Sequence, residues 1–344
     1  MPFTDQSCRI CGNRMKNRLY RVPEMMFGTR EAFDYFECAR CDCLQISRIP
    51  SDMAPHYPRN YYSLQPPPVP SSDTLGTRVA RYLRARRTLY FMYRRNRIGQ
   101  LLHAVKPVEA KSGEYLGWLL ECRADLDSRI LDVGSGCGTV LLELSRCGFK
   151  CLDGIDPYLA EDSPPPPGVR IRKMVLVDMA GRYDVIMFNH SLEHMPDQVA
   201  TLRHASTLLA ACGSILVRIP TVSSHAWRRY REHWVQLDAP RHFYLHSRTS
   251  ITLLAEAAGL TIRKTVCDST AFQFWGSEQY ARGIPLTDGR SLLVNRHSGL
   301  FSQADLLSFE HSANRLNAQH DGDQVCIYME PLKGNGAGRD PSSA

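Results

Sequence analysis

The sequence lacks the features that membrane-spanning and secreted proteins show. It contains no apolar run of about 18 residues, which is the length that a helix needs to cross a bilayer. Its start, Met-Pro-Phe-Thr-Asp-Gln-Ser-Cys, is not that of a signal peptide. No internal repeat is apparent along the chain. These absences predict a soluble, cytoplasmic protein.

The composition is that of a globular protein with room for more than one unit. At 344 residues the chain can form a full α/β core together with a smaller additional domain. The net charge of +7 is moderate and unevenly distributed. Twelve cysteines in a chain without a secretion signal are better interpreted as thiols and metal ligands than as a disulfide framework.

The most informative segment covers residues 130 to 138, Ile-Leu-Asp-Val-Gly-Ser-Gly-Cys-Gly. Its apolar start predicts a strand, and Thr139-Val-Leu-Leu-Glu-Leu-Ser-Arg predicts the next helix, so the glycines lie on a strand-to-helix turn. A turn without side chains lets a ligand lie against the main chain. The following strand ends in Asp156, whose carboxylate can accept hydrogen bonds from both hydroxyls of a ribose. Together these features predict a nucleoside site.

The spacing of the glycines distinguishes between two candidate classes of nucleoside cofactor. A dinucleotide site has the spacing G-x-G-x-x-G, with the helix N-terminus directed at a pyrophosphate. Here Gly134, Gly136 and Gly138 alternate with other residues. The acidic Asp132 before them would repel a pyrophosphate, but it suits a cofactor that carries an ammonium and a sulfonium.

These residues resemble motif I of the class I methyltransferases that depend on S-adenosylmethionine (SAM). The segment Tyr183-Asp-Val-Ile-Met-Phe-Asn-His-Ser-Leu-Glu-His-Met-Pro-Asp resembles the fourth strand of that family and the loop after it. The resemblance implies SAM as the cofactor and methyl transfer as the activity. The residues expected at the cofactor are Asp132, Gly134, Ser135, Gly136, Gly138, Asp156 and Asn189.

Four cysteines near the start form a second pattern, Cys8-x-x-Cys11 followed by Cys38-x-x-Cys41. Two-residue spacing lets both thiolates of a pair bind one ion, and two pairs complete the tetrahedral shell that zinc favours. The 26 residues between the pairs could form the strands of a zinc ribbon. Cys43 is a substitute ligand, and the alternative is four reduced thiols without a metal. A closed shell of four cysteines leaves no position for substrate, so the zinc would be structural.

The ribbon followed by Tyr61-Tyr-Ser resembles the N-terminal zinc module of bacterial methyltransferases associated with sugars and surface glycans. Proline clusters after it resist regular structure and indicate a boundary. The predicted organisation is a zinc ribbon over 1–63, a proline-rich linker over 64–75, a basic helical lead-in over 76–128, a SAM-binding methyltransferase domain over 129–333 with an insertion at 272–317, and a disordered tail over 334–344.

Residues 76–112 are basic and predicted to be helical, with eight arginines interleaved with leucine and aromatic residues. Such a segment can lie on anionic lipid or on phosphate. The alternative is a solvated helical face that covers the sheet edge. We favour the alternative, because glycan methyltransferases often carry a helical lead-in here. Peripheral membrane contact and nucleic-acid binding are therefore secondary expectations.

From Arg129 onward the patterns of strands and helices alternate, which predicts a mostly parallel sheet with helices on both faces. The predicted fold class is α/β, with a Rossmann-like methyltransferase sheet of seven strands. The closing segment Gln324-Val-Cys-Ile-Tyr-Met-Glu matches the place where the family has an antiparallel seventh strand. The other strands are predicted at 129–133, 150–155, about 169–174, 183–188, 213–219 and 260–266.

The acceptor site is expected after the fourth and fifth strands, because ligands of open α/β sheets bind beyond the carboxyl ends of the strands. A hydroxyl acceptor attacks poorly while it holds its proton, and histidine suits the task of accepting that proton near neutral pH. His242 is the first candidate for the base, His194 the second and His190 the third. The loop that carries His242 resembles the Glu-His loop of sugar methyltransferases, except that Arg241 stands where the acid would be.

Aromatic residues of the insertion have two interpretations. Phe274, Trp275 and Tyr280 could stack on the face of a sugar in the acceptor pocket. Packing against the sheet is the favoured role for each of them.

Three classes of function remain. The leading one is a methyltransferase that acts on a small-molecule or glycan acceptor, with a sugar hydroxyl favoured. The second is an RNA methyltransferase that holds nucleic acid with the ribbon and the arginine-rich helix. Base-amino methyltransferases commonly carry Asn-Pro-Pro-Tyr after the fourth strand, and Asn189-His-Ser-Leu stands there instead. The third is a non-catalytic SAM-fold protein, which the presence of both acids and all three glycines disfavours.

Overall fold

The computed structural model describes residues 2–58, 61–65, 74–159 and 168–332. Two predicted features lie outside these residues: most of the proline-rich linker and the tail from Gly334. Within the described ranges, no helix combines the length and the apolar character needed to cross a membrane.

The N-terminal unit is an antiparallel sheet whose loops carry the four paired cysteines. Cys8 and Cys11 lie between the first two strands, and Cys38 and Cys41 lie between the third and the fourth. The strands are β1 (Phe3–Thr4), β2 (Asn17–Pro23), β3 (Ala32–Glu37) and β4 (Leu44–Ile46). A ribbon of strands around the cysteine pairs is therefore present, as predicted.

The basic lead-in is helical over most of its length, as predicted. Helix α1 ends at Arg94 in the left-handed conformation, and the side chain of Asn96 caps the next helix by accepting a hydrogen bond from the backbone of Gly99. This short connection folds the second helix back on the first. The helices are α1 (Leu75–Tyr93), α2 (Arg97–Val105) and α3 (Ala110–Glu121).

Strands and helices alternate through the rest of the chain. The elements are β5 (Arg129–Val133), α4 (Thr139–Cys147), β6 (Cys151–Ile155), β7 (Val169–Arg172), β8 (Tyr183–Asn189), α5 (Gln198–Thr207), β9 (Leu209–Pro220), α6 (His225–Tyr230), β10 (Tyr244–Leu245), α7 (Arg248–Ala257), β11 (Leu260–Cys267), α8 (Phe272–Ala281), α9 (Gln303–Ala318) and β12 (Gln324–Pro331).

Seven of these strands form one sheet in the order β11-β12-β9-β8-β5-β6-β7. Every neighbouring pair is parallel except the two that β12 makes, so the closing strand is antiparallel and the predicted fold class is confirmed. The predicted fifth strand at 213–219 is longer in the structure, because Leu209 already pairs with Tyr183.

Helices cover both faces of the large sheet, as the alternation predicted. Along β5, Ile130 enters the core beneath α3 and α4, whereas Leu131 enters the core beneath α5 and α7. Both side chains are fully buried. The basic lead-in helix α1 also packs against α4, which agrees with the favoured interpretation of a covering helix.

Strand β10 joins the N-terminal sheet rather than the large one. Tyr244 pairs with Gln45 and Leu245 with Leu44, so the order of the small sheet is β1-β2-β3-β4-β10. The predicted ribbon over 1–63 thus shares its sheet with a loop from the 129–333 region. The domain boundaries stay a prediction, but the two units have a common core.

Candidate active site

The glycine turn after β5 adopts the conformation that its sequence requires. Gly134, Gly136 and Gly138 have φ values of 76°, 52° and 77°, which side chains rarely adopt. A Cβ atom at Gly134 would overlap the side chain of Ser191, and one at Gly136 would overlap the carbonyl of Ser63. The glycines at 134 and 136 therefore allow two neighbouring protein segments to approach the turn closely.

Segment 61–65, just after the ribbon, lies directly on this turn. The backbone N–H of Cys137 donates to the carbonyl of Ser63 at 2.9 Å. On the other side of the turn, the Ser191 hydroxyl donates to the carbonyl of Val133 at 2.6 Å. The turn is consequently held between the N-terminal unit and the loop after β8.

Two buried carboxylates flank the turn as predicted. Asp156 accepts hydrogen bonds from the backbone N–H of Gly136 at 3.0 Å and of Tyr158 at 2.8 Å. Asp132 is 3% exposed, and its Oδ1 has no hydrogen-bond partner within the described part of the chain. Burial, with a smaller contribution from Asp156, raises the pKa of Asp132 to about 7. A buried acid with one unpartnered oxygen fits a cationic ligand such as SAM.

The pKa of Asp132 predicts that SAM affinity depends on pH. Below about pH 7 the free protein keeps this carboxyl protonated, and a cationic ligand must displace the proton. We expect apparent SAM affinity to fall by up to ~10-fold for each pH unit below 7 and to level off above it. Because burial raises the pKa of Asp132 above its value in an unfolded chain, the ligand-free protein loses stability as the pH rises through 7 and this carboxyl ionises.

Calorimetry from pH 5.5 to 8.5 measures this dependence. Asp132→Asn, which cannot ionise, should bind SAM more weakly and with a flatter pH profile. A steep profile that persists in Asp132→Asn would show that another group is responsible.

The N-terminal unit also forms one wall of a cavity beside the glycine turn. The rings of Tyr57 and Tyr158 stack with centroids 5.1 Å apart and an angle of 16° between their planes. A cavity of about 380 Å³ lies next to them, lined in addition by Met53 and Leu64. Sequence reasoning missed Tyr57, although the aromatic residues after the ribbon were a signal that this segment packs against the site.

Asn189 and His190, at the end of β8, belong to a polar network centred on Arg218. The guanidinium Nη1 of Arg218 donates to His190 Nε2 at 2.8 Å and to Asn189 Oδ1 at 3.3 Å. Its other nitrogens bond Asp268 at 2.5 Å and Glu114 at 3.1 Å. Because His190 Nε2 must accept from an arginine, its lone pair is already in use. Sequence reasoning did not identify Arg218 or Glu114 as part of the site.

Two of the predicted bases, His194 and His242, come together with Glu193 beyond the end of β8. Potential ligand atoms of Glu193, His194 and His242 all lie within 4.8 Å of one another, and we call this group the carboxylate–histidine cluster. Glu193 is fully buried, and neither of its carboxylate oxygens has a hydrogen-bond partner among the described residues. His190 Nδ1 lies 3.4 Å from Glu193 Oε1, and His242 Nε2 lies 3.9 Å from the same oxygen.

Hydrogen bonds to backbone carbonyls orient both imidazoles of the cluster. His242 Nδ1 lies 2.7 Å from the carbonyl oxygen of Gln236, and His194 Nδ1 lies 2.8 Å from that of Arg241. A carbonyl only accepts, so each Nδ1 carries the hydrogen and each Nε2 keeps its lone pair. Burial, with a smaller contribution from the adjacent imidazole of His194, lowers the pKa of His242 to about 4, so the His242 ring is neutral at pH 7.

The loop that carries His242 is anchored to the N-terminal unit. The Tyr35 hydroxyl donates to the carbonyl of His242 at 2.9 Å, and the backbone N–H of Phe243 donates to the carbonyl of Glu193 at 2.8 Å. Other polar residues of this loop also serve packing: Trp234 donates to Asp323 at 2.9 Å. The loop is therefore held by the N-terminal unit through Tyr35 and by the segment before β12 through Asp323.

Arg241 has a buried structural position. It is 0% exposed, and its Nη2 lies 3.0 Å from Glu24 Oε1 and 2.6 Å from Asp238 Oδ1. Glu24 belongs to the N-terminal unit, so this ion pair joins the ribbon to the His242 loop. The residue that replaces the acid of the sugar-methyltransferase loop thus has a role in holding that loop.

Loss of this guanidinium should destabilise the protein. Arg241→Met would leave two carboxylates buried without their cation, and removal of one partner from a buried pair typically costs about 3–5 kcal/mol. Urea unfolding, followed by circular dichroism, measures the change in the free energy of unfolding. Arg296→Met, at an exposed position, is the matched control. A loss below about 1 kcal/mol for Arg241→Met would contradict the assigned role.

The insertion aromatics pack against protein, in agreement with the favoured interpretation. Phe274 and Tyr280 are each 4% exposed, and Phe274 stacks on Phe309 with centroids 5.6 Å apart. The ring of Trp275 contacts that of Phe272 at 4.7 Å. Phe274 and Tyr280 are therefore closed to a sugar.

The four paired thiols converge on one point, as the spacing predicted. Sγ of Cys8 lies 3.6 Å from that of Cys41, and Sγ of Cys11 lies 3.5 Å from that of Cys38. Four sulfurs at the zinc–sulfur bond length are roughly 3.8 Å apart in a tetrahedron, so the group fits a zinc ion. Cys43, the substitute ligand, is buried outside this group, and its sulfur lies 3.9 Å from the carbonyl oxygen of Leu44.

The glycine turn, the two acids and the seven-stranded sheet define a class I SAM-dependent methyltransferase. A family model described as a methyltransferase domain matches residues 90–265, just over half of the chain. The chain belongs to this methyltransferase family.

Curated relatives similar to this chain include two ubiquinone biosynthesis O-methyltransferases, from Bordetella parapertussis and Bordetella bronchiseptica. Each is 32% identical to this chain over 121 residues, which span 31% of this chain and 46% of the relative. The match therefore covers less than half of their length.

Solved structures that match this chain include mycolic acid cyclopropane synthase CmaA1, with 15% identity, a TM-score of 0.41, and coverage of 64% of this chain and 82% of that one. Another is the 1,6-didemethyltoxoflavin-N1-methyltransferase of Burkholderia thailandensis, with 14% identity, a TM-score of 0.37, and coverage of 78% and 94%. Neither is close enough to indicate an acceptor.

Proposed function

We propose that this enzyme transfers the methyl group of SAM to a hydroxyl of a small-molecule or glycan acceptor, with a sugar hydroxyl favoured. The observation that carries the proposal is the carboxylate–histidine cluster, which presents two imidazole lone pairs beyond β8. A hydroxyl is the acceptor that most needs a proton acceptor. The relatives named as O-methyltransferases support oxygen as the nucleophile.

In the proposed reaction the acceptor oxygen attacks the methyl carbon in line with the sulfonium. The C–O bond forms as the C–S bond breaks, the electron pair stays on sulfur, and S-adenosylhomocysteine leaves. The acceptor's proton passes to Nε2 of His242, with His194 as the second candidate. His190 is the third candidate, but its engaged Nε2 makes it less suited. Alignment of donor and acceptor contributes about 7–11 kcal/mol to such reactions.

The cofactor residues keep their predicted roles in this proposal. Asp156 would accept from the ribose hydroxyls, and Asp132 would face the positive charge of SAM. The backbone of the glycine turn, including Ser135, would lie against the cofactor, and Asn189 would border its methionine part.

Zinc at the four cysteines would be structural in this proposal. The loop that follows the second cysteine pair leads directly into β4, which pairs with β10 beside His242. Zinc would thus stabilise the sheet on which the His242 loop is built.

The test is incubation of the purified protein with methyl-labelled SAM and separate panels of nucleotide sugars, lipid-linked glycans, phenolic quinone precursors and ribosomal RNA. We expect label on a hydroxyl of a sugar or another small molecule. The Asp156→Asn variant, which we expect to bind SAM poorly, is the control: label that it transfers equally well would come from a contaminating enzyme. Label in RNA alone would favour the RNA methyltransferase that the basic helices also suggest, and would overturn this proposal.

A further inference from the structure

We propose that the carboxylate–histidine cluster binds a divalent metal ion through Glu193, His194 and His242. This site is separate from the four-cysteine site and would have open positions for an acceptor oxygen. Only the binding of an acceptor oxygen to the metal rests on the proposed function. The metal site itself is defined by three side chains of the protein.

The first argument is the donor set. Two histidines and one carboxylate with open positions form a ligand combination that divalent iron and related first-row ions use in proteins. The three donors lie within 4.8 Å of one another, and donors around such an ion are roughly 3.0–3.4 Å apart. Small side-chain rotations would therefore close the site.

The second argument is the orientation of the imidazoles. Metal-bound histidines almost always donate their other ring N–H to a carbonyl or carboxylate. His194 and His242 both do so, through Nδ1 to the carbonyls of Arg241 and Gln236. Both Nε2 lone pairs are thereby free for a ligand, and neither makes a hydrogen bond to another described residue.

The third argument is the state of Glu193. This side chain is fully buried, and both oxygens lack hydrogen-bond partners within the described ranges. A buried carboxylate is costly unless a cation or donors compensate it. The nearest arginine network, at Arg218, reaches His190 rather than Glu193. The protein group that approaches it most closely among the ion pairs of the described residues is His190 Nδ1, at 3.4 Å from Oε1. A metal ion would compensate the carboxylate more directly than this single long contact.

The open side of the site faces the predicted acceptor region. His194 is only partly buried, and its ring lies near Tyr57 and the cofactor carboxylate Asp156. An acceptor hydroxyl that joined the metal would lose its proton to solvent more readily, since a bound cation lowers the pKa of its oxygen ligands. In that case both Nε2 atoms serve as ligands, and the metal takes over the role assigned to the base.

Binding of Mn²⁺ to the full-length, zinc-loaded protein tests the inference directly. We expect electron paramagnetic resonance to show one Mn²⁺ bound per chain with zinc content unchanged. Glu193→Gln and His242→Asn should each weaken Mn²⁺ binding by at least about tenfold. His311→Asn, an exposed histidine on α9, is the matched control and should bind as the parent does.

Melting temperature and SAM binding verify that each variant is folded. If a buried variant fails to fold, His194→Asn, at a more exposed position, provides the test. Absence of saturable Mn²⁺ binding in the parent, or equal binding in all cluster variants, would overturn the inference. Methylation without Mn²⁺ binding would overturn the metal site and leave the proposed function intact. Mn²⁺ binding without methylation of any acceptor would support the metal site and contradict the proposed function.

Discussion

Replacement of His242 by asparagine is expected to lower kcat by roughly 10²–10⁴-fold, the range that a positioned acid–base group contributes. Asparagine retains a hydrogen-bonding side chain of similar size but has no basic lone pair at the position of Nε2. The affinity for SAM should change little, because the cofactor turn and both acids are untouched. Steady-state kinetics with the acceptor identified by labelling measures the effect.

The comparison must separate chemistry from folding. His311→Asn controls for the loss of a histidine, and His194→Asn should reduce kcat less if His242 has the leading role. A kcat for His242→Asn within a few-fold of the parent would refute the assignment. The metal-binding measurements then decide whether His242 acts as a base or as a ligand.

Removal of zinc is expected to abolish activity and unfold the N-terminal sheet. Structural zinc sites bind with about 10–16 kcal/mol in small zinc modules, which is comparable to the stability of a whole domain. The Ser247 hydroxyl donates to the carbonyl of Cys41 at 2.5 Å, and the backbone N–H of Ile46 donates to that of Phe243 at 3.0 Å. Disorder at the cysteines should therefore spread to the loop that holds His242.

Chelation followed by activity assays, circular dichroism and zinc readdition measures this effect. Cys38→Ser should reproduce the loss of activity at a single ligand. Cys212→Ser, an exposed cysteine outside the site, should behave as the parent does. Full activity in a folded, zinc-free protein would show that the four cysteines do not support the site.

Local patterns were sufficient to predict the large sheet and the tight glycine turn after β5. The alternation of strands and helices, the glycines before Thr139 and the acid at Asp156 depend on neighbours in sequence. The grouping of the four cysteines was also predictable, because a two-residue spacing lets both thiolates of a pair bind one ion. The partners of these motifs were harder to predict: that Ser63 lies on Gly136 depends on a contact between segments more than 70 residues apart.

The sequence by itself determined the class of enzyme, since strand periodicity, glycine φ requirements and carboxylate positions are local properties of the chain. The tertiary structure alone decided which polar residues meet. It placed Arg241 in a buried ion pair with Glu24, and it brought His242 to Glu193 and His194. These outcomes depend on how the ribbon sheet incorporates β10, and such long-range pairing is set by the packing of two units rather than by any local pattern.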